Sequence, residues 1–188
     1  MITLSAGALS VRYAKFHDRL SHSIGIQVGD SYSPLLESIE GSEEEPWPAS
    51  PPMQQVVEEC FTLGAPPVLL GVGLSGNGHW SIAVETLDSK RLKFDIACKN
   101  SKNAQWLGSQ YRVLTSCKKT ELTLPNSIVF DIAEHGDLLT QFRIEMRVSI
   151  GQLERLDSDG RLRVLPVSEP REIRTHRWCF EIGTFEGK

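Results

Sequence analysis

A chain of 188 residues carries 40% hydrophobic and 23% charged residues, enough to bury one real core and too balanced for a disordered or fibrous protein. Its formal charge of −4 supplies no overall basic field, which argues against nucleic acid as a partner. No run approaches the roughly 18 apolar residues of a membrane-spanning helix, and Met1 to Leu9 lacks the basic start and sustained apolar stretch of a secretory leader.

A single soluble, cytoplasmic domain over residues 1–188 is therefore the expectation, with no membrane partner. Along the chain, Val11 and Tyr13, then Ile24, Ile26 and Val28, suggest two strands within the first 28 residues. Residues 30–52 differ in character, with consecutive glutamates and then several prolines, and read as an acidic, proline-rich surface loop. Ser50 can cap a helix whose first turn tolerates Pro51 and Pro52. Met53, Val56, Val57, Cys60 and Phe61 form its apolar stripe, and Gly64 with Pro66 and Pro67 stops it. The spacing predicts one amphipathic helix over 51–63, packed on a sheet.

From Val68 onward the pattern changes to period two, the signature of strands buried on one face. Trp80, Ile82 and Val84 alternate with polar neighbours, as do Leu92, Phe94, Ile96 and Cys98. Phe142, Ile144, Met146, Val148 and Ile150 continue the alternation, followed by Trp178, Phe180 and Ile182. Val68–Leu74, Gln110–Leu114, Ile128–Ala133 and Leu162–Val167 are further strand candidates. The links are short and rich in turn formers, with Asn77-Gly78, Asp88-Ser89-Lys90, Glu134-His135-Gly136-Asp137 and Asp157-Ser158-Asp159-Gly160 as the signals. The expected fold is mainly β, a β-rich α+β domain in which an antiparallel meander over 68–183 curls into a barrel or strongly curved sheet with one helix upon it. Residues 81–94 and 149–164 share the order Ser-Ile, Glu, Leu-Asp-Ser, Arg-Leu, which raises an internal duplication.

Several short motifs need physical weighing. Gly71, Gly73 and Gly76 spell G-x-G-x-x-G, but an alternating strand follows, whereas a dinucleotide site needs a helix whose amides receive the pyrophosphate. Asp157 to Gly160 resembles part of a calcium loop, yet Pro166 occupies the place of the bidentate glutamate, and a polar hairpin turn is the simpler reading. The four cysteines, Cys60, Cys98, Cys117 and Cys179, form no C-x-x-C pair and are read as reduced thiols, those in strands lying in the core. None of the five histidines shows close ligand spacing. No catalytic residue, cofactor or metal site is expected.

What remains are aromatic–polar groupings and arginines spaced two apart on strands. His79 with Trp80, His176 with Trp178, and Arg112, Arg143 and Arg147 are the candidate ligand-binding residues, because a pocket mixes apolar walls with a few directed polar groups and guanidinium grips carboxylate or phosphate in bidentate fashion. Core packing of the tryptophans and cross-strand ion pairs of the arginines explain the same residues without a ligand. The leading expectation is non-enzymatic binding of a small amphipathic or anionic ligand in a groove of a curved sheet. The alternative is an interaction or scaffold module using a sheet edge or the 51–63 helix, with a protein partner or a second copy of the chain. A third is a hydrolase or lyase built around His79 or His176.

Overall fold

The computed structural model describes residues 1–114, 117–119, 126–132, 142–156 and 160–186. Its strands are β1 (Ile2–Ala6), β2 (Leu9–Phe16), β3 (Arg19–Val28), β4 (Ser31–Ser38), β5 (Gln55–Glu59), β6 (Val68–Ser75), β7 (Gly78–Asp88) and β8 (Arg91–Asn100). They continue as β9 (Ser109–Val113), β10 (Cys117–Lys119), β11 (Ser127–Ile132), β12 (Phe142–Ile150), β13 (Gln152–Leu156), β14 (Arg161–Leu165) and β15 (Thr175–Glu186). Among the described residues there is no helix, and so none long and apolar enough to cross a membrane.

The strands form two antiparallel sheets laid face to face. One has seven strands in the order β1-β2-β3-β4-β9-β14-β13, and the other has eight in the order β10-β11-β12-β15-β8-β7-β6-β5. Period-two alternation explains the stacking, since each strand offers one apolar row and the two rows bury each other. Leu9, Val11, Tyr13, Ile24 and Ile26 from the first sheet meet Val84, Phe94, Ile96, Phe130, Met146 and Phe180 from the second in one continuous core. Phe94 and Phe180 stack at 4.8 Å with planes 6° apart. Phe180 also meets Tyr111 of the opposite sheet edge-on at 6.0 Å.

The predominance of antiparallel strands agrees with the sequence reading, but three expectations require correction. First, 51–63 holds strand β5 in place of a helix. Gln55–Glu59 pairs residue by residue with β6, from Gln55 against Val72 to Glu59 against Val68. Met53 is tied to β3 by a 2.7 Å bond from Leu20 N–H to its carbonyl. The apolar stripe is split, with Met53 and Val56 buried but Phe61 exposed, so a helix would leave part of its face in water. The open edge of β6 meanwhile offers backbone partners at once.

Second, no barrel closes, because the two edges of the eight-stranded sheet, β5 and β10, do not pair with one another. Nor is 68–183 one meander: β9 and the β13–β14 hairpin leave it to join β4 in the other sheet. Third, the segment 30–52 begins with β4, and its loop is confined to the residues after Ser38. The two similar segments also separate. Residues 81–94 lie in the β7–β8 hairpin, while 149–164 run from the end of β12 through β13 into β14 of the opposite sheet.

The turn after β6 is Gly76-Asn77, one residue earlier than the Asn-Gly signal, with Gly76 at φ 54°. Gly73 accommodates a close backbone approach, since a Cβ there would collide with the Pro52 carbonyl. The predicted turn at Glu134–Asp137 and residues Asp157–Asp159 lie outside the described residues.

Candidate functional site

The sequence candidates fall on separate surfaces and form no single site. Trp80 and Trp178 are buried and pack edge-to-face at 6.0 Å. Trp178 Nε1–H bridges the sheets by donating to Ser109 Oγ at 2.9 Å. His176 is also sealed, its Nδ1 2.7 Å from Ser168 Oγ and its Nε2 2.9 Å from the Glu172 carbonyl. These three belong to the core because they share its alternation phase. His79 points the other way and lines a shallow cavity of about 460 Å³ with Lys99, Asn100, Ser101 and Ile173. Arg143 and Arg147 stand on the outer face of the eight-stranded sheet, paired with Asp131 at 2.6 Å and Glu145 at 3.0 Å. Arg177 on that face is likewise held by Asp95.

Of the seven candidates, Arg112 alone lines the groove that the fold builds on the outer face of the seven-stranded sheet. Register sets that groove. Thr3 pairs with Arg12, Arg12 with Ser23, Ser23 with Glu37, Glu37 with Arg112, and Arg112 with Arg161. The result is one polar row crossing six strands from β1 to β14, about 24 Å long at roughly 4.8 Å per strand step. These side chains share the outward phase because their neighbours Leu4, Val11, Tyr13, Ile24, Leu36 and Tyr111 are buried inward.

A hollow of about 500 Å³ opens along the row, lined by Arg12, Ser23, Tyr32, Glu37, Glu40 and Arg112, with Phe16 and Met1 at its rim. The Arg12 guanidinium lies 3.8 Å above the Tyr32 ring centroid and is hydrogen-bonded to Gln27 Oε1. Its Nε has no partner among the described residues. The Tyr32 hydroxyl is anchored 2.9 Å from Ser23 Oγ, and burial raises its proton affinity. Arg112 is well exposed and faces Glu37 at 3.9 Å, a loose pairing that leaves its donors available.

The floor of the groove is polar yet sealed. His22, buried between Tyr13 at 5.0 Å and Phe94 at 6.2 Å, is 2.9 Å from the Tyr111 hydroxyl through Nε2. Burial drives its pKa down to about 3, so the ring is neutral near neutrality. Burial also raises Tyr13 and Tyr111, and each is raised further by the nearby Glu40 carboxylate. Glu40 accepts a hydrogen bond from Ser38 Oγ at 2.6 Å through Oε1, while Oε2 is sealed without a partner among the described residues. Burial pushes its pKa up to about 7, against the opposing pull of Ser38 and Arg19.

Sequence reasoning missed Arg12, His22, Tyr32 and Glu40. The signal that could have found Arg12 is its place among the outward residues of a strand whose inward row is Leu9, Val11 and Tyr13; Tyr32 and Glu40 sat in a segment read as loop. Among the described residues, no group of three or more His, Cys, Asp or Glu is placed to hold a metal ion.

No family model and no curated protein matches the chain. Among solved structures, a heparinase III gene product matches with a TM-score of 0.54 at 9% identity, the match covering 97% of this chain and 35% of that one. A heparan sulfate lyase HepC mutant from Pedobacter heparinus matches with a TM-score of 0.57 at 8% identity, over 100% of this chain and 37% of that one. The chain thus spans little more than a third of the solved chains it matches. At this identity the likeness is one of fold: the two-sheet arrangement of this protein recurs within part of those larger molecules.

Proposed function

We propose that the protein is a carbohydrate-binding β-sandwich, and that an acidic oligosaccharide lies across the strands of the seven-stranded sheet along the row from Arg12 to Arg161. The observation that carries this reading is the row itself. It is polar and faces outward, with guanidinium groups on β2, β9 and β14, hydroxyls of Ser23 and Tyr32 between, and the one carboxylate in the row, Glu37, paired loosely with Arg112. A linear ligand with hydroxyls and spaced anionic groups matches it: Arg12 and Arg112 are three strand steps apart, roughly 14 Å, and each can grip a carboxylate or sulfate. Both solved proteins cited above are named for heparin or heparan sulfate, which favours a sulfated or uronic-acid-containing glycan over another anion. Binding rather than turnover is the reading, since the histidine at the groove floor is buried, held by Tyr111, and made a weak base by its burial.

Calorimetric titration with a heparan-sulfate-derived tetrasaccharide tests it, with a neutral cellotetraose control. Selective binding of the acidic sugar is expected, weakened about tenfold by Arg12→Ala or Arg112→Ala, the size of one lost charged hydrogen bond, and weakened further by salt. Equal binding of both sugars, or wild-type affinity in both variants, would refute the assignment.

A further inference from the structure

We propose that the groove takes up its anionic ligand together with a proton, and that the Glu40 carboxylate receives that proton. This rests on the groove being an anion site. The geometry supports it in three ways. Glu40 lines the same hollow as Arg12 and Arg112, so its charge opposes an anion lying there. Its Oε1 is fixed by Ser38, which in turn accepts the His22 backbone N–H at 2.8 Å, so the carboxyl cannot swing out to water without breaking a chain of bonds into β3. Its Oε2 is sealed from solvent with no donor among the described residues, so the ionised form is poorly solvated.

Among the described residues, the groups packed against Glu40 whose proton affinity is shifted hold their state near neutrality. Tyr13 on β2 and Tyr111 on β9 are sealed and hold their protons, and His22 on β3 stays neutral until far into the acid range. Arg19 is buried and donates to Asp18 at 2.7 Å, and that hydrogen bond holds the Asp18 carboxyl below the usual carboxylate range. Arg12 and Arg112 line the hollow, Glu37 pairs loosely with Arg112, and Met1 lines it as well. The raised affinity of Glu40 for a proton, near pH 7, follows from its burial. An arriving anion raises it further, and by linkage the proton tightens the anion by the same factor.

The experiment is titration of the 188-residue chain with the heparan-sulfate-derived tetrasaccharide at about pH 6 and about pH 8, each in two buffers of different ionisation enthalpy. For like charges roughly 12–16 Å apart at an effective dielectric of about 20, losing the Glu40 charge should tighten binding roughly five- to tenfold at the acid end. The buffer comparison should show uptake of up to about half a proton near pH 7. Glu40→Gln should bind at the acid-end affinity at both pH values with no proton uptake, whereas Glu37→Gln should shift affinity alike at both and keep the uptake. Equal wild-type affinity at both pH values without uptake overturns the proton coupling while leaving the anion groove standing. A pH dependence that survives in Glu40→Gln belongs to another group, such as the Met1 amine, and also overturns it. Failure of the wild type to bind the tetrasaccharide at either pH overturns the groove reading itself. If Glu40→Gln does not fold, Ser38→Ala decides: losing the hydrogen bond to Oε1 should move the uptake to higher pH if Glu40 is the receiver, and uptake unmoved in that variant overturns the assignment.

Discussion

Asn100, at the end of β8, holds the segment that leads into β15, and replacing it with Asp tests that role with little change in shape. The side chain is 2% exposed. Its Nδ2 donates its two hydrogens to the carbonyls of Lys102 and Glu172, each at 3.0 Å, with the Pro170 carbonyl sharing one of them at 3.3 Å, and its Oδ1 accepts the Arg174 N–H at 3.0 Å. Asn100→Asp keeps the acceptor for Arg174 but turns the donor into an oxygen facing three carbonyls. Each buried hydrogen bond lost removes about 1 kcal/mol, and a carbonyl left without a donor adds to that, so a loss of about 3–5 kcal/mol at pH 7 is expected. The carboxylate so placed has a folded-state pKa above its unfolded value near 3.9. The folded state therefore binds the proton more readily, and the penalty, full above the folded pKa, shrinks as pH falls. Urea unfolding of wild type and variant at pH 7 and about pH 4.5 reads both quantities as differences. A loss below about 1 kcal/mol, or a loss independent of pH, would show that Asn100 does not hold this junction.

Two further outcomes follow from burial. His22 has a folded pKa of about 3, below its unfolded value of 6.5, so its contribution is complete above about pH 6.5 and drains away as pH falls towards 3, on the order of 4 kcal/mol in all. Glu40 works in the opposite sense, its raised value favouring the folded state as pH falls from about 7 towards 4.5. Acid unfolding should therefore be shallow at first and steep below about pH 4.5; in His22→Gln the steep limb flattens, and an unchanged limb by circular dichroism would exclude His22 as its source. Thiol labelling of the native protein should modify Cys60, which is exposed, well before Cys98 and Cys179, which are buried with their thiols pushed up in pKa, Cys98 to about 12. Peptide mapping of the labelled chain checks this, and comparable rates at all three positions would contradict the burial of β8 and β15.

Alternation is legible in a sequence because it reports which side of a strand faces water, and Phe94, Ile96, Met146, Val148 and Phe180 occupy the inward rows it implies. It carries no information about which strand lies alongside. A single curling meander and two stacked sheets place the same residues inward, and the choice is made by β9 and β14, whose backbones find each other across forty-seven intervening residues. The stripe Met53, Val56, Val57, Cys60 and Phe61 fits a helical period, yet the free edge of β6 captured it, a tertiary effect that local spacing does not contain. The groove was hidden for a related reason. Arg12, Ser23, Glu37 and Arg112 are scattered along the chain and become one row only through strand register. Arg112 stood out by its place in an arginine-rich polar face, whereas Tyr32 and Glu40 lay in a segment whose glutamates and prolines masked a strand. His176, Trp80 and Trp178 drew attention by residue type, and their phase consigned them to packing.

The order in which strands find their neighbours bears on how the protein comes into being. While a nascent chain is being made, hairpins such as β2–β3 and β7–β8 can form early, but β8 waits for β15 and β9 waits for β14. Both arrive late, β15 following β8 by 74 residues and β14 following β9 by 47. Until then each half-built layer exposes a greasy face and an unpaired edge at once, the condition under which chains stick to one another. A fragment ending before Thr175 is thus expected to associate or be degraded.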